Sequence, residues 1–318
     1  MSNLYRIAVN SFRESVREPV YFLMLLGALL IIGHYPWMTL FVFFEQLKLV
    51  VDGAMATTLL FSLAVCVLCA TSTVSREMNN GTVLLLLSKP VSRWSFVLGK
   101  IAGIAAASLL FCAVCAFASV IAVYIAVDQF RMNLTLYGFF IGVVAISCFF
   151  GMAMNYLRSV SFGEFATYAA LLLVGGMMAY CLKFQDHPML SLADLSKALF
   201  LLAPAVLIMA VWAVGCATRL DVVPSMGVCA VLFFLGLVSS YLFQNADGAF
   251  WGPIAAVLYA VIPNWQYFWM ADAMAVNKSI PTDYVWWCVG YALLYSTVGA
   301  AWATVFFLNR EAVGDNRN

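Results

Sequence analysis

The side chains best equipped for chemistry in this 318-residue chain are nine cysteines, four of which fall in two C-x-x-C pairs, Cys66 with Cys69 and Cys112 with Cys115. Within a helix that spacing puts both thiols of a pair on one face, and thiolates are soft-metal ligands, so copper or zinc handling is the chemistry on offer. Packing is the competing reading, because an apolar helix uses cysteine as a small hydrophobe and no histidine accompanies either pair. The two histidines, His34 and His187, are far apart in sequence. A disulfide within a pair is disfavoured, since residues three apart on a helix do not meet its geometry. No metal site is therefore expected.

Other catalytic arrangements are missing. There is no HExxH, no pair of aspartates in facing apolar segments, and no serine and histidine at a usable spacing. The acids fall in loops or at segment ends, such as Glu45, Asp52, Asp128, Glu164 and Asp221. An ion-coupled carrier needs charge at mid-depth, so that class is disfavoured. Gly142, Gly151 and the Gly175-Gly176 pair are candidates for broken helices, but small residues more often let helices pack closely. A nucleotide loop is absent too: Gly99-Lys100 is followed by isoleucine, with no glycine at position 94. Net charge of +1 supplies no basic field for nucleic acid, which is excluded as a partner.

The elements that carry these residues are set by composition. Hydrophobic residues make up 65% of the chain and charged residues 10%, against about 25% charged in an ordinary soluble domain. The fold class is all-α, a polytopic helical membrane protein forming one transmembrane domain over 1–318 with six to eight spans, of which hydropathy favours eight. The apolar windows lie near 20–43, 51–72, 97–127, 134–156, 163–183, 197–217, 225–243 and 285–308. His34-Tyr35-Pro36 is a candidate break in the first. Residues 1–18 read as an interfacial helix with Leu4, Ile7, Ala8 and Phe12 on one side and Arg6, Arg13 and Arg17 largely off it. Residues 250–283 hold an apolar run too short for a confident crossing, followed by PNWQYFW. They read as an outer re-entrant hairpin, with Trp265, Phe268 and Trp269 as an outer gate or as anchors in the headgroup belt, where lipid is the partner. With both termini in the cytosol the basic residues divide eleven inside and five outside, in accord with the positive-inside bias.

One polar interruption stands out, SREMNNGTVLLLLSKPVSRWSFVLGK over 75–100. Its leucine run, Leu84 to Leu87, is far too short to cross roughly 30 Å of hydrocarbon. Leucines on a cytosolic segment that cannot enter the membrane call for a partner's groove.

The same segment resembles the cytosolic loop of ABC-2 type permeases, the membrane subunits of type V ABC exporters. The matching residues are Arg76, Glu77, Gly81, Thr82, Leu86, Leu87, Ser88, Lys89, Pro90, Val91, Ser92, Arg93, Phe96, Gly99 and Lys100; Asn79 departs from the family's usual second acid. PNWQYFW and a last span ending in Asn309-Arg310-Glu311 resemble the same group, most of all the branch labelled for multicopper-enzyme maturation or gliding motility. The resemblance implies a permease subunit with no catalysis of its own, in the bacterial cytoplasmic membrane. It implies that the subunit is clamped, as one of two permease copies, by ABC ATPase subunits that hold ATP and Mg, and that the chain itself carries no cofactor.

In that reading 75–96 is the coupling segment, with Leu84, Leu86 and Leu87 inserted into the ATPase and Pro90 ending its helix. Arg93 and Lys100 sit at anionic headgroups, and Arg76 and Glu77 pair with the ATPase or with the N-terminal helix. The implied function is ATP-driven outward movement of an amphipathic substrate. The alternatives are a mechanical or signalling subunit driven by the same ATPase, and an ATPase-independent carrier or anchor.

Overall fold

A chain this apolar must satisfy its backbone groups within each segment, and helices do so. The computed structural model describes residues 3–39, 46–79, 92–127, 131–185, 190–243, 251–275 and 278–314, and these are almost wholly helical. The helices are α1 (Asn3–Arg17), α2 (Pro19–Met38), α3 (Gln46–Ala70), α4 (Arg76–Asn79), α5 (Arg93–Ile125), α6 (Leu134–Arg158), α7 (Phe162–Phe184), α8 (Leu192–Ala217), α9 (Val222–Phe243), α10 (Trp251–Val261), α11 (Ala271–Ala275) and α12 (Thr282–Gly314). A two-residue antiparallel ladder, Ala126–Val127 with Arg131–Met132, joins α5 to α6.

Eight of the helices, α2, α3, α5, α6, α7, α8, α9 and α12, are long and apolar enough to cross a membrane, in agreement with the eight hydropathy windows. The protein is a multi-pass, all-α membrane protein. Alpha-helical ends are set by ordinary capping: Ser92 accepts from the Ser95 amide at the start of α5, and Asn133 from the Leu136 amide at the start of α6. After α6 the chain turns through Ser159, whose φ of 52° is left-handed.

Helices α6 and α7 are continuous past Gly142, Gly151 and Gly175-Gly176, and Gly151 and Gly175 lie against neighbouring side chains as packing residues do. Two sequence expectations change. Helix α2 continues past Pro36 to Met38 instead of breaking there; the Thr39 hydroxyl donates to the Pro36 carbonyl at 2.6 Å, and neighbouring helices supply the packing that tolerates an interior proline. The second concerns α3, which does not end near residue 72 but passes into a π-helical turn, Thr71–Ser75, and then α4. The run TSTVS explains that turn. The Thr71 and Thr73 hydroxyls donate back to Val67 and Cys69 carbonyls, loosening the regular ladder.

Helices α3, α5 and α8 form the centre. Helix α5 packs against α1, α2, α3, α7 and α8, while α8 packs also against α3 and α12. The outer layer is thinner: α6 leans mainly on α7, and α9 on α8 and α10. Long apolar side chains of α6, including Phe139, Ile146 and Phe149, face outward, as lipid-facing residues must. At the end of the bundle near the start of α8, the 11-residue α10 spans only about 16 Å. It is followed by a 3-10 turn, Trp265–Phe268, and the five-residue α11.

Candidate functional site

Of the family-like segment, residues 80–91 lie outside the described residues, and with them Gly81, Thr82, Leu84, Leu86, Leu87, Ser88, Lys89 and Pro90. The two roots of the segment are described, and they form a charged cluster with the N-terminal helix. Lys100, in the second turn of α5, is 2% exposed. Its ammonium lies 2.8 Å from Glu77 of α4 and 3.4 Å from Glu14 of α1. Arg76 donates to Glu18, between α1 and α2, at 3.1 Å. Arg17, the last residue of α1, donates to Glu164 in the first turn of α7 at 2.6 Å. Glu164 is itself 7% exposed and favoured there by the helix dipole.

Electrostatics explain why the charges cluster. A lysine buried to this degree loses its hydration, and only close carboxylates make that tolerable. Burial raises the Glu77 carboxyl above its ordinary range, while the Lys100 ammonium pulls it back down. Lys100 therefore does not sit at lipid headgroups, as the sequence reading has it. Its charge is neutralised within the protein by Glu77 and Glu14. Arg76 pairs with Glu18 at the end of the N-terminal helix, whereas Glu77 pairs with Lys100 of α5, a partner the sequence reading did not name. Arg93, the first residue of α5, is exposed.

Close backbone approach holds α1 in place. A side chain at Gly103 would collide with the Ala8 carbonyl and come within 2.7 Å of the Ser11 Cβ and 2.9 Å of the Phe12 amide. One at Gly99 would meet Ile7 at 2.8 Å. Gly99 and Gly103 are four residues apart, the small-xxx-small spacing that lets two helices touch. Opposite them α1 buries Ser11 and Ser15, also four apart. The N-terminal helix is thus docked on α5 through small residues as well as through Ile7 and Ala8. Beside it, Ser75 donates to the Ala217 and Leu220 carbonyls at 3.2 and 3.1 Å, tying the π-helical turn to the end of α8. Root and scaffold are therefore one connected body: α1, the α3–α4 junction, α5, α7 and α8.

The residues assigned to an outer gate or belt divide. Trp265 is 1% exposed and Phe268 fully buried, so neither side chain stands in a headgroup belt; Trp269 is half-buried. The reason is a hydrogen-bonded aromatic cap. Asn264 donates through its side chain to Ser240 at 2.6 Å and through its amide to Tyr291, Tyr284 donates to the Tyr267 carbonyl, and the Tyr259 and Tyr267 hydroxyls are 2.7 Å apart. The loop after α11 is pinned as well: Asp194 accepts from the Ile280 amide at 3.1 Å, and Lys197 donates to the Ile280 carbonyl at 2.7 Å.

Cys66, Cys69, Cys112 and Cys115 are buried free thiols on α3 and α5. Among the described residues no three His, Cys, Asp or Glu side chains come together in a metal-holding group; His187 lies outside them. Sequence reasoning missed Glu14, Glu18, Arg17 and Glu164 as partners. The 99/103 and 11/15 small-residue spacings are the signal that could have found the α1–α5 contact.

No curated protein matches the chain. Residues 5–248 match the family described as ABC-2 family transporter protein. That match spans both the charged cluster and seven of the eight apolar helices, and the chain belongs to the ABC-2 transporter family as a membrane-spanning component.

Proposed function

We propose that this protein is the permease subunit of an ATP-driven exporter in a bacterial cytoplasmic membrane. Both termini are cytosolic, a second permease copy completes the pathway, and a separate ABC ATPase binds ATP and Mg and supplies the work. The substrate class is amphipathic and moves outward. The observation that carries this reading is the charged cluster. Both roots of 80–91 are fastened, through Lys100, Glu77 and Arg76, to α1 and the central helix α5. A push on the segment between them then reaches the core of the bundle without first bending a free loop. Leu84, Leu86 and Leu87 enter a groove of the ATPase, and Trp269 with the aromatic cap lies towards the exit.

The test is capture of the cognate ATPase by detergent-solubilised, full-length permease. Wild type is expected to retain the ATPase in stoichiometric amount and Leu86→Glu/Leu87→Glu to lose it. Capture that ignores the double substitution, or no capture from wild type, would overturn the coupling role.

A further inference from the structure

Helix α5 packs against both α7 and α8, and between those two helices a groove of about 370 Å³ opens over it. Its floor includes Ala113, Ala116 and Phe117; Leu182 of α7 and Leu199 and Phe200 of α8 stand at its sides. The two alanines lie three apart on one face of α5 and create the recess. The walls offer almost nothing polar. Ser196 is the one hydroxyl in the lining, and it already donates to the Ala193 carbonyl of its own helix at 2.8 Å. Hydrocarbon is what such a surface recognises.

Dimensions narrow the occupant. The floor runs from Leu109 to Val120, about 16 Å of helix, or half of a roughly 30 Å hydrocarbon core. The volume admits about a dozen groups of water size at roughly 30 Å³ each, enough for much of one acyl chain. Leu182 and Phe200 are 42% and 53% exposed, so the groove is open to the surrounding bilayer along its side. Past Leu182, outside the lining itself and away from the Arg17–Glu164 pair, the chain carries a cation. Lys183 follows Leu182 in the last turn of α7, and its ammonium is held 5.3 Å from the Phe184 ring centroid. A basic residue at the end of a membrane-spanning helix suits an anionic headgroup.

We propose that the groove between α7 and α8 is a binding site for an anionic phospholipid of the bilayer, with one acyl chain over Ala113 and Ala116 and the phosphate at Lys183. The site is independent of the ATPase and of the direction of transport. It stands whether or not the coupling role does.

The experiment places full-length protein in phosphatidylcholine nanodiscs doped with a phosphatidylglycerol that carries a photoreactive diazirine in its acyl chain. Crosslinks are then mapped by peptide. Labelling is expected to concentrate on 109–120 and 199–203 and to be competed by unlabelled phosphatidylglycerol. Phosphatidylcholine is expected to compete about fivefold less well, the worth of one basic residue against an anionic headgroup. Lys183→Gln, a surface change that leaves the helices intact, erases that difference and keeps the labelling. Ala116→Trp fills the recess and abolishes groove labelling, while labelling of the α6 face at Phe139, Ile146 and Phe149 persists as the control for folding. Labelling of the groove no denser than that of α6, or indifferent to competitor and to Lys183→Gln, overturns the proposal. So does protection of the groove in dimeric but not monomeric protein, which would assign it to a second copy.

Discussion

Lys100 is the residue on which the charged end of the molecule turns. Its burial would be unfavourable alone, and two carboxylates from different elements make it tolerable: Glu14 from the N-terminal helix and Glu77 from the root of the polar segment. Removing the cation leaves Glu77 buried without its compensating charge, a change that costs about 3 kcal/mol at buried pairs. Lys100→Met is expected to lower the thermal stability of the solubilised protein by that order, and Lys100→Met/Glu77→Leu to recover part of the loss. A thermal-unfolding double-mutant cycle measures the coupling, and additive losses would mean that the pair is not a unit. Arg76 and Glu18, at 65% and 21% side-chain exposure, make a weaker pair, because water screens what it does not exclude.

Among elements, the contact between α1 and α5 decides most. An amphipathic helix beside a membrane can rest on lipid or on protein, and here the small faces of both helices select protein. Gly103→Ala puts a methyl group against the α1 backbone, an overpacking of about 1–3 kcal/mol. It is expected to release α1 and to speed tryptic cleavage at the exposed Arg13 and Arg17, with the bundle intact. Gly176→Ala is the matched control. A Cβ at Gly176 meets nothing within 4 Å, so stability should hold or rise by about the helix-propensity difference of 1 kcal/mol. Equal protease sensitivity of the two variants would contradict docking through Gly103. The π-helical turn after α3 belongs to the same arrangement: its extra width lets Ser75 reach the end of α8 while Arg76 and Glu77 face α1 and α5.

On the scale of the whole molecule, eight spans return the C-terminus to the side of the N-terminus. In intact cells a membrane-impermeant maleimide is expected to label Lys278→Cys, and to label Asn10→Cys only after permeabilisation. Labelling of both from one side would contradict the orientation. Much of this was legible in the residues alone. Mean hydropathy and window length decide that a segment is helical and membrane-spanning, because no other structure satisfies its backbone in lipid; all eight windows reappear as helices of the right length. The family-like string from Arg76 to Lys100 was equally plain, since its polar and glycine residues contrast with everything around them. What the residues alone did not decide is which charges meet and which faces turn inward. Glu164 looked like an ordinary segment-end acid, Lys100 like a headgroup anchor, and Trp265 and Phe268 like gate or belt aromatics, while Glu14 and Glu18 stood out in no way. Hydropathy is nearly uniform around helices such as α3, α5 and α8, so it does not distinguish a lipid-facing side from a buried one. Contacts between residues distant in sequence, such as Lys100 with Glu14, 86 apart, and Arg17 with Glu164, 147 apart, break that symmetry, and the tertiary structure alone supplies them.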